Sequence, residues 1–206
     1  MPKNDSETKN DSDEKGAPRD LNEQILAKEK YTFSRLNYEL RRADGRWDKH
    51  ERNLFRRPDA CVILPYDPAH GLLLLTRQFR LGAYMNDTTP GLLEACAGTL
   101  DPGEEPDACI RREAMEEMGL KVGELRFLFE AFVSPAATTE KLYFFVAPYG
   151  PEARVADGGG MEEEGEEIEV VETGFAETLR EAEAGAIRDS KTLTLLYWLK
   201  TSGLMG

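Results

Sequence analysis

The sequence predicts an α/β domain preceded by an antiparallel β segment, on three observations. Apolar runs of strand length recur along the chain, a short helix with its own start and stop signals interrupts them, and apolar helical segments close the C-terminus. Residues 1–20, MPKNDSETKNDSDEKGAPRD, hold almost no large apolar side chain and dense mixed charge. Burial there cannot offset the entropy of ordering, so a disordered tail is expected. Residues 21–57 are expected to form an N-terminal β subdomain. In it YTFSRLNYELR (31–41) alternates in part, Ala43-Asp44-Gly45 supplies a turn, and 46–55 reads as the returning strand. Residues 58–206 are expected to form the main domain. ACVILPY (60–66) and GLLLLTRQF (71–79) read as strands of a buried sheet, joined by a turn at Asp67-Pro68. After the helix come LRFLFEAFV (125–133) and KLYFFVAPY (141–149), then a Gly- and Glu-rich connection over 150–167, a strand over 168–172, and helices over about 175–186 and 191–200.

The chemistry is concentrated in AGTLDPGEEPDACIRREAMEEMGL, Ala97 to Leu120. Glu113, Glu116 and Glu117 are three and four apart, so on a helix they crowd into an arc of about 100°. Like charges so placed raise one another's pKa and weaken the helix; a hard cation with oxygen ligands removes that penalty and holds a phosphate. A solvated acidic face is the alternative. The flanking glycines weigh against it: Gly98 permits a close backbone approach, and Gly119 can end the helix in a left-handed conformation. Arg112, four residues before Glu116, can pair with it without touching a ligand.

Composition narrows the partners. A net charge of −13 and a pI near 4.7 exclude the basic footprint that duplex nucleic acid requires, so phosphate work falls to individual arginines. Cys61, Cys96 and Cys109 are odd in number, lack CxxC spacing and sit in apolar runs, which predicts buried thiols without disulfide or zinc. No run approaches a membrane span and the N-terminus has no signal-peptide core, so a cytoplasmic protein with no membrane partner is expected.

Gly98, Glu104, Arg112, Glu113, Ala114, Glu116, Glu117, Gly119 and Leu120 together match the box of the Nudix hydrolases at every position, a coincidence expected in roughly one window in 10⁹. From about Tyr31 onward the chain resembles the nucleoside-diphosphate-sugar branch of that family. The further matching segments are Thr76-Arg77-Gln78-Phe79-Arg80, Leu93 to Gly98, the Ser134-Pro135 loop ending in Thr139-Glu140, Gly158 to Gly160 with Glu166 to Val170, and Ile187 to Lys191. The resemblance implies an αβα sandwich around a mixed sheet and a homodimer that exchanges its N-terminal strands. It implies Mg²⁺, with Mn²⁺ as an alternative, held by the Ala97 carbonyl, Glu113 and Glu117. Glu116 lies beside them as a catalytic carboxylate, and Glu166 completes the metal site or acts as base, with Glu167 the neighbouring alternative. Arg80 is implied to contact the diphosphate, with pairing to an acid as its structural alternative. Tyr31, Glu51, Arg52, Gly98, Glu140 and Lys191 complete the substrate contacts.

The expected reaction is cleavage of a nucleotide sugar, with GDP-mannose giving GMP and mannose 1-phosphate as the first candidate. ADP-ribose is the competing substrate. A non-catalytic nucleotide sensor is the reading from another class, and the complete set of box carboxylates speaks against it. Two departures from the branch stand out: Ala136-Ala137 replace glycine in the Ser134-Pro135 loop, and the acidic loop is longer than usual.

Overall fold

The structure, a computed structural model, describes residues 16–87, 91–161, 165 and 167–205. The chain forms two compact units. One contains the chain up to Arg57 together with Phe132–Glu140, and the other contains Pro58–Ala131 and the chain from Lys141 onward.

The first unit is a three-stranded antiparallel sheet in the order β1 (Arg19–Lys28), β2 (Thr32–Arg41), β3 (Trp47–Arg56). The β2–β3 hairpin turns at Gly45, whose φ of +90° favours a residue without Cβ, and its register runs unbroken from Arg41↔Trp47 to Thr32↔Arg56. β1 is an addition to the expected hairpin, and its first residues, Arg19 and Asp20, belong to the segment expected to be a disordered tail; residues 1–15 lie outside the described residues. The strand shows no apolar alternation because it buries almost nothing. It is held by its ladder to β2 and by two ion pairs, Arg19 to Glu39 of β2 at 2.6 Å and Glu23 to Arg56 of β3 at 2.7 Å. Residues 132–140 join this unit rather than the main domain assigned to them. The reason is backbone pairing: Phe55 N donates to the Ala137 carbonyl at 2.8 Å, and Thr139 N donates to the Phe55 carbonyl at 3.3 Å.

The second unit is built on a mixed sheet in the order β10 (Ile168–Gly174), β5 (Leu72–Gln78), β4 (Ala60–Asp67), β9 (Lys141–Pro148), β8 (Arg126–Phe132). β10 and β5, and β5 and β4, pair antiparallel, whereas β4 and β9 run parallel. Two short strands that sequence reading left unassigned, β6 (Leu92–Glu94) and β7 (Cys96–Thr99), pair with β5 and β4. Alternation along the buried strands divides them between two cores. Val62, Leu64, Leu73, Leu75, Phe144 and Val146 pack with Leu195, Leu196 and Leu199 of α4 (Ser190–Ser202). Cys61, Ile63, Leu74 and Phe145 face the other way, onto Ile110, Ala114 and Met118 of α2 (Pro106–Met118). This is the αβα layering that the resemblance implies. A short helix α1 (Leu81–Asp87) follows β5, and α3 (Phe175–Glu183) follows β10. Among the described residues no helix is long and apolar enough to cross a membrane.

The β4–β5 turn is closed by Asp67, which accepts hydrogen bonds from Ala69 N and His70 N and pairs with His70 Nδ1 at 2.7 Å. That hydrogen bond and the Asp67 charge raise the His70 pKa, while the same bond, outweighing desolvation, lowers that of Asp67. The pair's contribution is therefore fullest between the ordinary carboxylate range and the ordinary histidine value of about 6.5; it fades as pH rises through the raised His70 pKa and as pH falls through the lowered Asp67 one. His70→Gln should lower Tm most in mildly acidic buffer, with the difference from the parent shrinking toward alkaline pH. Thermal denaturation of both proteins across pH checks this.

Candidate active site

Helix α2 starts with Pro106 at its first turn and stops at Gly119, whose φ of +63° supplies the left-handed exit. Between them the helix aims its acidic face at strand β7. The contact is close at Gly98, where a Cβ would lie 1.8 Å from Glu113 Cδ and 1.9 Å from its Oε1. The Glu113 carboxylate thus rests on the backbone next to the Ala97 carbonyl, in space that only glycine leaves. Glu117, one turn on, is 3% exposed. Cys96 is buried with these carboxylates; burial pushes its thiol pKa up, and the charges of Glu117 and Glu113 push it further. Cys61, Cys96 and Cys109 are buried free thiols.

Arg112 does more than pair with Glu116. Its guanidinium binds Glu104 through Nε (3.1 Å) and Nη2 (3.0 Å), and Nη1 reaches both Glu113 (2.8 Å) and Glu116 (3.0 Å). Glu104 is held below the usual carboxylate range, chiefly by the Arg112 hydrogen bond. One arginine therefore restrains three box glutamates and sets the rotamers from which the site works.

The Gly158-Gly159-Gly160 segment is fastened to the end of the same helix. Gly159 N donates to the Glu117 carbonyl at 2.9 Å and Gly160 N to the Glu116 carbonyl at 3.1 Å, serving acceptors that a helix end leaves without partners. Gly158, at φ +75°, has its Cα so near that a Cβ would sit 2.4 Å from the Glu117 carbonyl oxygen. Ile168 N in turn bonds the Gly159 carbonyl at 3.1 Å, which ties the start of β10 to the same glycine segment. Glu166, the expected loop carboxylate, lies outside the described residues; Glu167 is described and exposed.

All expected metal donors are oxygens, the set a hard dication takes, and the Gly98 cradle admits Glu113 beside the Ala97 carbonyl. Among the described residues no group of three or more His, Cys, Asp or Glu side chains already converges on one cation position.

A second cluster in this unit holds the expected phosphate contacts. Arg80 follows β5 and meets Glu94, at the end of β6, in a fork: Nε to Oε1 at 2.9 Å and Nη2 to Oε2 at 3.1 Å. Lys191, in the first turn of α4, donates to Glu94 Oε2 at 2.6 Å and to Asp189 at 2.8 Å. Burial alone would raise the Glu94 pKa, but Arg80 and Lys191 outweigh it and hold the group below the usual range. Burial likewise works to lower the Arg80 pKa; Glu94, with smaller contributions from Glu117 and Asp189, raises it.

The remaining expected residues belong to the first unit. Tyr31 packs edge-on against Phe55 with centroids 5.5 Å apart, and Arg57 lies 5.3 Å over its ring. Arg57 also pairs with Glu140 at 3.3 Å, so this arginine joins two expected substrate contacts. Glu51 and Arg52 are successive residues of β3 and leave opposite faces of the sheet. Glu51 lies 3.6 Å from Arg35, and Arg52 bonds its neighbour's carbonyl at 2.7 Å. Sequence reading missed Arg57, Glu94 and Asp189 as site residues. Glu94 left a signal, an acid inside the apolar run Leu92-Leu93-Glu94-Ala95-Cys96, and Asp189 left another, as the N-cap whose side chain accepts from Thr192 N.

Comparison with known proteins identifies the family and the fold. The NUDIX domain profile matches residues 55–195. The chain is 42% identical over 186 residues to a GDP-mannose pyrophosphatase of Klebsiella pneumoniae, covering 90% of this chain and 92% of that protein. It is equally identical, over 186 residues, to the GDP-mannose pyrophosphatase of Escherichia coli K12, covering 96% of the latter. A crystal structure of an ADP compounds hydrolase superposes with a TM-score of 0.68 at 23% identity, over 95% of this chain and 100% of that one; at that identity the likeness concerns the fold.

Substituting two glycines should separate site from scaffold. Gly98→Ala displaces the flexible Glu113 side chain and should weaken divalent-metal binding about 10–100-fold with little loss of Tm. Gly158→Ala drives a Cβ into a helix carbonyl at positive φ and should destabilise the fold by about 1–3 kcal/mol. Mn²⁺ titration and denaturant unfolding of both variants check the contrast.

Proposed function

The chain belongs to the Nudix hydrolase family, and from that premise we propose that it hydrolyses the diphosphate of a nucleotide sugar, with GDP-mannose giving GMP and mannose 1-phosphate. The carrying observation is the Gly98–Glu113 contact beside buried Glu117. Curated relatives 42% identical over nearly their whole length support the substrate.

The Ala97 carbonyl, Glu113 and Glu117 would hold Mg²⁺, with Mn²⁺ as the alternative ion. When bound, the dication neutralises the diphosphate oxygens and acidifies water. The other roles fall to the chain. Arg80 and Lys191 bind phosphate oxygens, the first with a planar fork and the second as a point charge. Arg112 holds Glu113 and Glu116 in place, and Glu116 supplies a further carboxylate at the reacting group. Water attacks one phosphorus as the bridging P–O bond breaks, and a loop carboxylate, Glu166 or its neighbour Glu167, accepts the water proton. On the first unit, Tyr31 offers a ring for a base, while Glu140 and Glu51 offer acceptors and Arg52 a donor to the nucleotide.

We also infer a homodimer through the first unit, supported by Leu21, Ile25 and Leu26 of β1, which stand exposed with Phe33 and Phe55 on the same sheet. Light scattering on the 23.1 kDa chain should give twice that mass; a monomer would remove the inference.

Incubation with Mg²⁺ and a panel of nucleotide sugars, followed by product analysis, should show GMP and mannose 1-phosphate formed fastest from GDP-mannose. A preference of about tenfold or more for ADP-ribose, a difference of about 1.4 kcal/mol, would overturn the substrate. Glu117→Gln should cut turnover by at least about 100-fold without unfolding the protein. Unchanged turnover would show that the metal site lies elsewhere.

A further inference from the structure

We propose that Glu94 is a positioning residue that holds Arg80 and Lys191 as one rigid receptor for the two phosphoryl groups of the substrate; this rests on the diphosphate reading above. Three observations carry it.

The first is convergence. Arg80 leaves the end of β5 and Lys191 opens α4, yet both bind the same carboxylate, within 2.9 and 3.1 Å for the arginine and 2.6 Å for the lysine. Glu94 is itself 2% exposed. One cation would suffice to satisfy a buried carboxylate, and the second calls for its own counter-charge, which Asp189 supplies to Lys191 at 2.8 Å.

The second is rigidity. Glu94 is held in the β5–β6 ladder opposite Thr76, whose hydroxyl also donates to the Glu94 carbonyl at 3.3 Å. The next residue, Ala95, donates its N–H to Thr192 Oγ1 at 2.7 Å, and that hydroxyl in turn donates to Asp189, the cap of α4. The strand and the helix are therefore locked together at the point where the two cations meet.

The third is the direction of the fork. Glu94 occupies the Nε and one Nη2 position of Arg80, and the Nη1 end makes no hydrogen bond among the described residues. The Arg80 side chain is 41% exposed although its anchor is buried. An arginine held by one edge presents the other to a ligand, and fixing it beforehand removes an ordering cost from binding.

Charge and position make opposite predictions here. Glu94 carries negative charge beside a site for a negative substrate. If electrostatics alone governed, Glu94→Gln would tighten diphosphate binding. Under the positioning role it weakens binding, because the glutamine cannot accept the full fork and the ammonium together.

The test compares the parent protein, Glu94→Gln and Glu94→Asp in three measurements: kcat and KM for GDP-mannose, calorimetric titration with methylene diphosphonate in the presence of Mn²⁺, and Mn²⁺ binding alone. The expected result is a rise in KM and in diphosphonate Kd of about 10- to 100-fold for Glu94→Gln, with kcat and Mn²⁺ affinity changed much less. Glu94→Asp keeps the charge with a shorter reach and should fall between the two, and it serves as the test variant if the glutamine form is unstable. Unchanged or tighter diphosphonate binding overturns the proposal, as does a parallel collapse of kcat, Mn²⁺ affinity and Tm, which marks a purely structural role. If the parent cleaves no nucleotide sugar, the functional reading fails separately, and the diphosphonate titration still decides the role of Glu94.

Discussion

The Glu113 carboxylate lies against the backbone of Gly98, and nothing larger than a hydrogen fits between them. Much of the second unit is arranged around that contact. β7 supplies Gly98 and the Ala97 carbonyl, and it is fixed by pairing with β4, which lies at the centre of the sheet and is buried on both faces. Helix α2 is held in register by the core under Ile110, Ala114 and Met118, so its acidic face cannot rotate away from the strand. Its exit is then sealed by Gly119 and by the amides of Gly159 and Gly160. A small displacement of the helix would separate Glu113 from Gly98, and interiors at native packing density resist such shifts.

The electrostatic design solves a problem set by composition. A chain of net charge −13 has to receive a polyanion. It does so with few cations, each held among acids: Arg112 among Glu104, Glu113 and Glu116, and Arg80 with Lys191 among Glu94 and Asp189. The two arrangements differ in use. Arg112 spends its donors on box carboxylates and acts through them, whereas Arg80 is fastened along one edge and keeps the other.

The box helix and the buried strands were legible in the sequence because their signals are local. Carboxylates at three- and four-residue spacing, Pro106, Gly119 and continuous apolar runs report on structure within a turn or a strand. β1 was not legible, since its ladder and its ion pairs to Glu39 and Arg56 leave no apolar pattern. The attachment of residues 132–140 to the end of β3 rests on backbone hydrogen bonds, which any side chain there would permit. Glu94 was visible as part of a matching segment but not as an anchor, because the cation that reveals its role, Lys191, is 97 residues away.

The same distinction bears on selectivity. Cleaving a phosphoanhydride needs close, sterically enforced contacts, and these cluster in one stretch of chain where substitution is felt at once. Choosing a base or sugar needs only a few hydrogen bonds and a stacking surface, and the residues offered for it are held more loosely. Tyr31 touches Phe55 and Arg57 at ring-contact distances, and the Arg52 side chain bonds its neighbour's carbonyl. Arg57 is the exception: it spans Tyr31 and Glu140, and its backbone exchanges hydrogen bonds with Thr139, at 3.3 Å from its N–H and 3.2 Å to its carbonyl. A change in the Ser134-to-Thr139 loop would therefore reach Glu140 and Tyr31 together through this one side chain. Loop variation at that point can retune recognition while the box helix and its glycine contacts stay as they are.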